Sequence, residues 1–243
     1  MCPFHSDGLV GVSNQNVMPQ EDFAKLVLPV ISQAEEVQFG CIHEPTIVPY
    51  FDFVVQSVAK ARPRPENASD AWCSMVTNAM PLTEKKMSLL LLSGMISSIK
   101  LSCDGIDAEI YEKIRIGAKF NVFMDRLSMA RRIIDENHLP IKIYLIFTLQ
   151  PTNYHQYYHL EEWAKSNGVD ELIIHGLSGF LATDETRRQY LEIAGDKALP
   201  WEKPPEEIPH FILKHDCELL DSVTSQTVGN LHQEPMESIL GRI

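Results

Sequence analysis

The chain alternates short, nearly continuous apolar runs with longer stretches of helical periodicity. The apolar runs are Glu36–Ile42, Ala71–Thr77, Ser97–Cys103, Pro140–Leu149 and Val169–His175, and each stops at or near a Pro, Gly, Asn or Asp. Runs of this length bounded by such residues read as buried strands, and Pro140–Leu149 adds the Ile, Tyr and Phe content that suits a pleated surface. The helical segments fall between them. Pro19-Gln20-Glu21-Asp22 opens a helix with acidic residues in its first turn, and Phe23, Leu26, Val27, Val30 and Ile31 supply its apolar face. Tyr50–Arg62 predicts a second helix, followed by a loop at Pro63–Asn67. Thr83 caps a third that runs through Leu92. Helical pattern returns from Asp107 to about Asn137, broken near Gly117, and again from about Tyr154 to Asn167, where Gly168 ends it.

Strand and helix thus repeat in turn, and successive strand starts lie roughly 25–45 residues apart, the length that βα units need. The pattern predicts an α/β fold, a parallel sheet covered by helices and arranged as a barrel or partial barrel of (β/α) units. In such folds the loops after the strand C-termini carry the chemistry. Those strand ends hold His43-Glu44-Pro45, Thr77-Asn78, Ser102-Cys103-Asp104-Gly105, Gln150 to Asn153, and His175-Gly176. They are expected to converge on one mouth. Past Gly195 the texture changes. Leu199–Pro209 contains four prolines and reads as an extended linker. Residues 210–243 carry a little strand pattern at His210–Lys214, a turn at Gly229-Asn230 and a helix-like Met236–Leu240. The expected division is a barrel over residues 1–195 and a linker with a short tail over 196–243.

Composition narrows the function. The chain has 243 residues, of which 21 are Lys or Arg and 33 are Asp or Glu, for a net charge of −12. That balance argues against nucleic acid and against an anionic membrane surface as partners. The start has no basic region leading into an apolar run, and Met87–Ile99, the most apolar stretch, is broken by serines and too short to cross a bilayer. Five widely spaced cysteines, Cys2, Cys41, Cys73, Cys103 and Cys217, do not suggest a disulfide framework. The expectation is a cytoplasmic protein with reduced thiols.

Several strand-end motifs resemble those of the radical S-adenosylmethionine (radical SAM) enzymes, in the branch with a SPASM or twitch C-terminal extension. Gly40-Cys41-Ile42-His43-Glu44-Pro45, followed by Thr46-Ile47-Val48-Pro49, is similar to that family's Gly-Gly-Glu-Pro element. Thr77-Asn78-Ala79 resembles its Thr-Asn-Gly. Ser102-Cys103-Asp104-Gly105 with Tyr111 and Arg115-Ile116-Gly117 resembles its Ser-x-Asp-Gly, Tyr and Arg-x-Gly series, and Leu149 to Asn153 its fifth strand end. Cys217, Val228 to Leu231 and Met236 to Leu240 look like the end of a SPASM or twitch segment. The similarity spans nearly the whole chain, and the order of the motifs is more specific than any one of them.

The resemblance implies a partial radical SAM (β/α) barrel that uses S-adenosylmethionine and a [4Fe–4S] cluster to abstract hydrogen from a peptide or small metabolite. It implies that Glu44 and the backbone around it receive the cofactor's ammonium, that Ser102 and Arg115 meet its carboxylate and ribose, and that Asn78 and Asp104 line the same mouth. The departures are equally specific. The family holds its cluster with C-x-x-x-C-x-x-C, and this chain has no such motif. Met1-Cys2-Pro3 resembles the last positions of that motif, which would make Cys2 the third ligand; an alternative alignment uses Cys2 and His5. The first strand and two ligand cysteines would then be absent, either from a truncated enzyme or from a remnant that has lost the cluster. No catalysis is expected from the chain as it stands. His43 and Ala79 replace glycines of the pattern, and residues 176–243 hold only Cys217, too few cysteines for an auxiliary cluster.

The reading from a different class is a non-catalytic protein that keeps the barrel mouth for a ligand or serves as a partner subunit. A first strand missing beside Glu36–Ile42 would leave an apolar edge for a protein partner to cover. Structural roles stand beside the functional ones. Glu44 can cap a loop, Arg115 can pair on a helix surface with neighbours such as Glu112, and Cys41, Cys73 and Cys103 suit inert strand positions. His155 and His159, four apart with Glu162 beyond, have zinc-like spacing, but the position of a general base is taken by Gln156, which cannot act as one.

Overall fold

Five parallel strands form the sheet that the apolar runs predict. In a computed structural model of the chain, β1 (Val37–Phe39), β2 (Cys73–Thr77), β3 (Ser98–Ser102), β4 (Lys142–Thr148) and β5 (Glu171–His175) stand side by side in chain order. The structure describes residues 17–40 and 44–176, and beyond them β6 (Phe211–Leu213), β7 (Glu218–Asp221), β8 (Thr227–Asn230) and the single residues Arg188, Glu192, Ile193, Gln233 and Ser238. The sheet is not closed among these residues, so the architecture is a partial (β/α) barrel with β1 and β5 at its edges.

The connecting helices lie where periodicity places them. α1 runs continuously through Gln20–Asp22, a wider π-helical turn at Phe23–Val27, and Leu28–Gln33. α2 is Phe51–Ala61, α3 Glu84–Leu92, α4 Ala108–Ile114, α5 Phe120–Glu136 and α6 Tyr157–Ser166. Their starts are set by side chains. The Thr83 hydroxyl accepts from Lys86 N–H at 3.4 Å and Asp107 Oδ1 from Ile110 N–H at 2.8 Å, each satisfying an orphan donor of the first turn.

The sheet has two unlike faces. In paired parallel strands, residues in register point the same way and alternate residues share a face. Cys73, Met75, Ile99, Leu101, Ile143, Leu145 and Phe147 are buried on one face. Val54, Val55 and Val58 of α2, Leu90 and Leu91 of α3, and Phe123 and Leu127 of α5 complete this core. The other face is set by the rows Gln38–Ser74–Ser98–Lys142, Val76–Lys100–Tyr144–Glu171, Ser102–Ile146–Ile173 and Thr148–His175. It is largely polar. Along β4 the residues alternate strictly between buried and half-buried, a departure from the fully buried strand that the apolar run suggests.

The described residues fall into two compact units, one within Glu35–Glu202 and one drawn from Val10–Ala34 and Lys203–Ile243. The second contains α1 and an antiparallel sheet in the order β6-β7-β8. Gly229 and Asn230, expected in a turn, lie instead in β8, where they pair with Leu219 and Glu218. Cys2, Cys41, His43 and Cys217, and the linker expected at Leu199–Pro209, lie outside the described residues.

Candidate site at the strand C-termini

Glu44 ties the end of β1 to the end of β2. Its Oε1 accepts from Thr46 N–H at 3.2 Å, from the Thr46 hydroxyl at 2.5 Å and from the Thr77 hydroxyl at 2.7 Å, and its Oε2 accepts from Asn78 N–H at 2.7 Å. Three loop donors thus converge on one oxygen, while Oε2 accepts from a single donor. Two backbone features let the loops approach. Gly40 has φ +81°, and a Cβ there would sit 2.4 Å from the Val76 carbonyl oxygen. Ala79, which stands where the resembled motif has glycine, is fully buried with φ +65°, so this turn demands the left-handed conformation that glycine adopts freely. Asn78 Oδ1 accepts from Met80 N–H at 2.9 Å, and its amide NH2 donates to no described residue.

A second cluster joins the ends of β3 and β4. The Asp104 side chain is only 7% exposed, and its Oδ2 lies 2.8 Å from Nη2 of Arg115, itself 22% exposed. Asp104 Oδ1 accepts from Thr148 N–H at 2.9 Å. Arg115 is the C-cap of α4 and is therefore not the surface pair that its helical spacing allowed; Glu112 pairs with Lys119 instead. Its Nε is buried without a hydrogen-bond partner among the described residues, as is the Tyr111 hydroxyl on the same short helix. Burial pushes the Tyr111 phenol up, with Arg115 opposing. Gly105 permits this packing, because a Cβ there would sit 2.4 Å from the Tyr111 nitrogen.

Two amides hold this corner: Asn153, named at an expected strand end, and Gln156, weighed only for a metal motif, neither of which was counted among the expected binding residues. Asn153 is fully buried, and its Nδ2 donates to the carbonyls of Asp104 at 3.0 Å and Thr148 at 2.9 Å, while its Oδ1 accepts from Gln150 N–H at 2.8 Å. Gln156, buried, accepts from Ile106 N–H at 2.9 Å and donates to Asp107 Oδ2 at 2.5 Å. For Asn153 the signal was its strand-end place and the resemblance carried by Leu149 to Asn153; for Gln156 nothing in the sequence pointed to Asp107.

The register places Asn78, one residue past Thr77, beside Ser102, one residue past Leu101. Ser102 is half-buried, and its hydroxyl has no partner among the described residues. The five expected residues therefore sort into two groups. Glu44 and Asp104 are largely engaged within the protein, whereas Asn78, Ser102 and Arg115 keep unused donors. That donor set fits a ligand carrying a carboxylate and hydroxyls.

An iron–sulfur cluster meets no such fit among the described residues. Cys73 and Cys103 are the two described cysteines, and both are fully buried. Burial pushes each thiol up to about 12, against the opposing pull of Arg62 on Cys73 and of a Gly105 backbone hydrogen bond and Arg115 on Cys103. Thiols held protonated are poor ligands. No group of three or more potential metal-ligating side chains occurs among the described residues. His155 and His159 are both exposed. No described helix is long and apolar enough to cross a membrane.

No known protein-family pattern and no curated protein matches this chain. Solved structures do. Native anSMEcpe with bound AdoMet superposes with a TM-score of 0.66 at 13% identity, covering 98% of this chain and 75% of that one. SuiB of Streptococcus suis bound to S-adenosylmethionine gives a TM-score of 0.64 at 13% identity, covering 91% of this chain and 58% of SuiB. Native anSMEcpe with bound AdoMet and the Kp18Cys peptide gives 0.58 at 12% identity over 92% of this chain and 72% of that one. The fold of this chain is the one these radical SAM enzymes share.

Proposed function

We propose that this chain binds S-adenosylmethionine on the C-terminal rim of its sheet, as a radical SAM-type protein of the SPASM or twitch branch. The observation that carries the reading is the row of unused donors on consecutive strand ends, Asn78 after β2, Ser102 after β3 and Arg115 beyond it, in a fold shared with structures that hold this ligand. Arg115 and Ser102 would meet the carboxylate and ribose. Asp104 would act as a positioning residue that fixes the guanidinium through Nη2. Glu44, whose Oε2 has one described donor, would orient the ammonium together with its surrounding backbone.

Cleavage of the sulfonium and hydrogen abstraction from a peptide or small metabolite belong to the complete enzyme of this reading, which requires a [4Fe–4S] cluster. With Cys73 and Cys103 sequestered, Cys2, Cys41 and Cys217 are the cysteines left to serve it, and they do not form the family's motif. That favours a second reading for the chain by itself: a ligand-binding or partner subunit without radical chemistry. A protein partner would then lie along the outer edge of β1, which no described strand covers. The intracellular setting suggested by the reduced thiols belongs to both readings.

The test is anaerobic calorimetry with S-adenosylmethionine, before and after reconstitution with iron and sulfide. Stoichiometric binding that weakens at least tenfold in Ser102→Ala combined with Asn78→Ala supports the rim. Formation of methionine and 5′-deoxyadenosine after reconstitution selects the enzyme, and binding without cleavage selects the subunit. Absence of binding in both states refutes the proposal.

A further inference from the structure

Among the described residues, Lys100 on the polar face of the sheet is a cation that forms no ion pair. Lys100 lies at the centre of β3, half-buried, on the face it shares with Ser102, Tyr144 and Ile146. Its ammonium donates to Gln38 Oε1 at 2.8 Å, reaching across β2, and forms no ion pair within the described residues. The charged neighbours on this face are otherwise matched. Lys142 lies 2.8 Å from Asp70 and 3.8 Å from Glu171, and the Tyr144 hydroxyl donates to Asp70 at 2.8 Å. Glu36, exposed just before β1, acts on Lys100 only through space. Desolvation lowers the lysine's pKa, with Glu36 opposing. The half-buried ammonium thus has one neutral hydrogen-bond partner, and Glu36 compensates its desolvation only through space. Above it in the third row stand the half-buried apolar side chains of Ile146 and Ile173.

We propose that this face is a binding site for an organic anion, a carboxylate or phosphate ester with an apolar stem, whose charged end is held by Lys100 and whose stem rests on Ile146 and Ile173. Lys100 lies two positions along β3 from Ser102, about 6.6 Å of strand, so the anion site lies deeper than the rim. As the substrate site of the protein it rests on the rim reading above, but as an anion site it stands on its own geometry.

The probes are inorganic phosphate and succinate, titrated into the full chain with its lysines isotopically labelled, while the Lys100 side-chain resonance is followed by NMR. A saturable shift at Lys100 is expected with at least one probe, and which one responds identifies the anion. Lys100→Met should weaken binding at least tenfold, Lys100→Arg should restore it, and neither should alter S-adenosylmethionine affinity by more than about twofold. In the ligand-free chain Lys100→Met should melt at the same temperature as the parent or above it, because a half-buried charge is removed. No response to either probe, undiminished anion binding in Lys100→Met, or a large loss of stability in that variant would overturn the proposal. Anion binding in a chain that fails to take up S-adenosylmethionine would leave this site standing and remove the rim reading alone.

Discussion

At the β1–β2 corner of the rim, Glu44 stitches two loops together with short, partly exposed hydrogen bonds. At the β3–β4 corner, Asp104 is almost wholly buried and holds a guanidinium as well as a strand-end amide. Both are acidic residues in motif positions, yet they stand in different electrostatic circumstances. Removing Glu44 leaves neutral donors without an acceptor. Removing Asp104 leaves a charge. Beside Glu44 Oε2, which has one described donor, the groups left unused are mostly the donors next to the carboxylates, and the β3–β4 corner, with Ser102 next to it, has more of these.

The comparison can be broken first at Asp104. Asp104→Ala strands the partly buried Arg115 and the Thr148 amide, and should cost about 3 kcal/mol or more, read as a fall in the urea midpoint. Asp104→Asn, which keeps an acceptor for Thr148 but turns an amide NH2 toward the Arg115 guanidinium, should recover only a small part of that. Next comes Glu44→Ala, expected to cost about 2 kcal/mol, because Asn78 N–H and the Thr46 and Thr77 hydroxyls lose their acceptor and can partly turn to water. A larger loss at Glu44 than at Asp104 would reverse the assignment of the two corners.

A smaller effect is expected at the opposite end of the polar face. Burial raises the Asp70 pKa, but hydrogen bonds from Lys142 and Tyr144 outweigh it and hold the carboxyl below its usual value. A lowered folded pKa contributes stability at pH above the unfolded value near 4, and this is lost as pH falls through the lowered one. Asp70 is 38% exposed, so the contribution is under about 1 kcal/mol, and Asp70→Asn should remove it from the pH–stability curve. The least perturbing check uses two buried thiols, Cys103 beside the β3–β4 corner and Cys73 at the far, N-terminal end of β2. With their pKa values pushed up to about 12, Cys73 and Cys103 should resist alkylation in the folded chain at neutral pH and react on unfolding. Rapid labelling of either one, read by mass spectrometry, would show that its strand end is open.

Local order was legible where a residue acts on its own neighbourhood. Thr83 and Asp107 announced their helices, Gly117 the break between α4 and α5, and the five apolar runs the five strands. Pairings across the sheet were not legible. That Arg115 meets Asp104 rather than a residue on its own helix, and that Asn153 reaches back to the Asp104 carbonyl, depends on how adjacent loops meet. The polar face was hidden for a related reason. Lys142, Tyr144 and Thr148 alternate with buried residues in a run that reads as apolar, and Lys100 joins them only once the register aligns β3 with β4.

The central claim is that the rim built from the ends of β2 and β3 and the loop bearing Arg115 takes up S-adenosylmethionine. Hydrogen exchange read by mass spectrometry, with and without the ligand, tests its location directly. The account predicts protection in peptides covering Asn78–Pro81 and Ser102–Arg115, with none at the strand N-termini around Asp70 and Ile141. Unchanged exchange at saturating ligand, or protection confined to the strand N-termini, would contradict it.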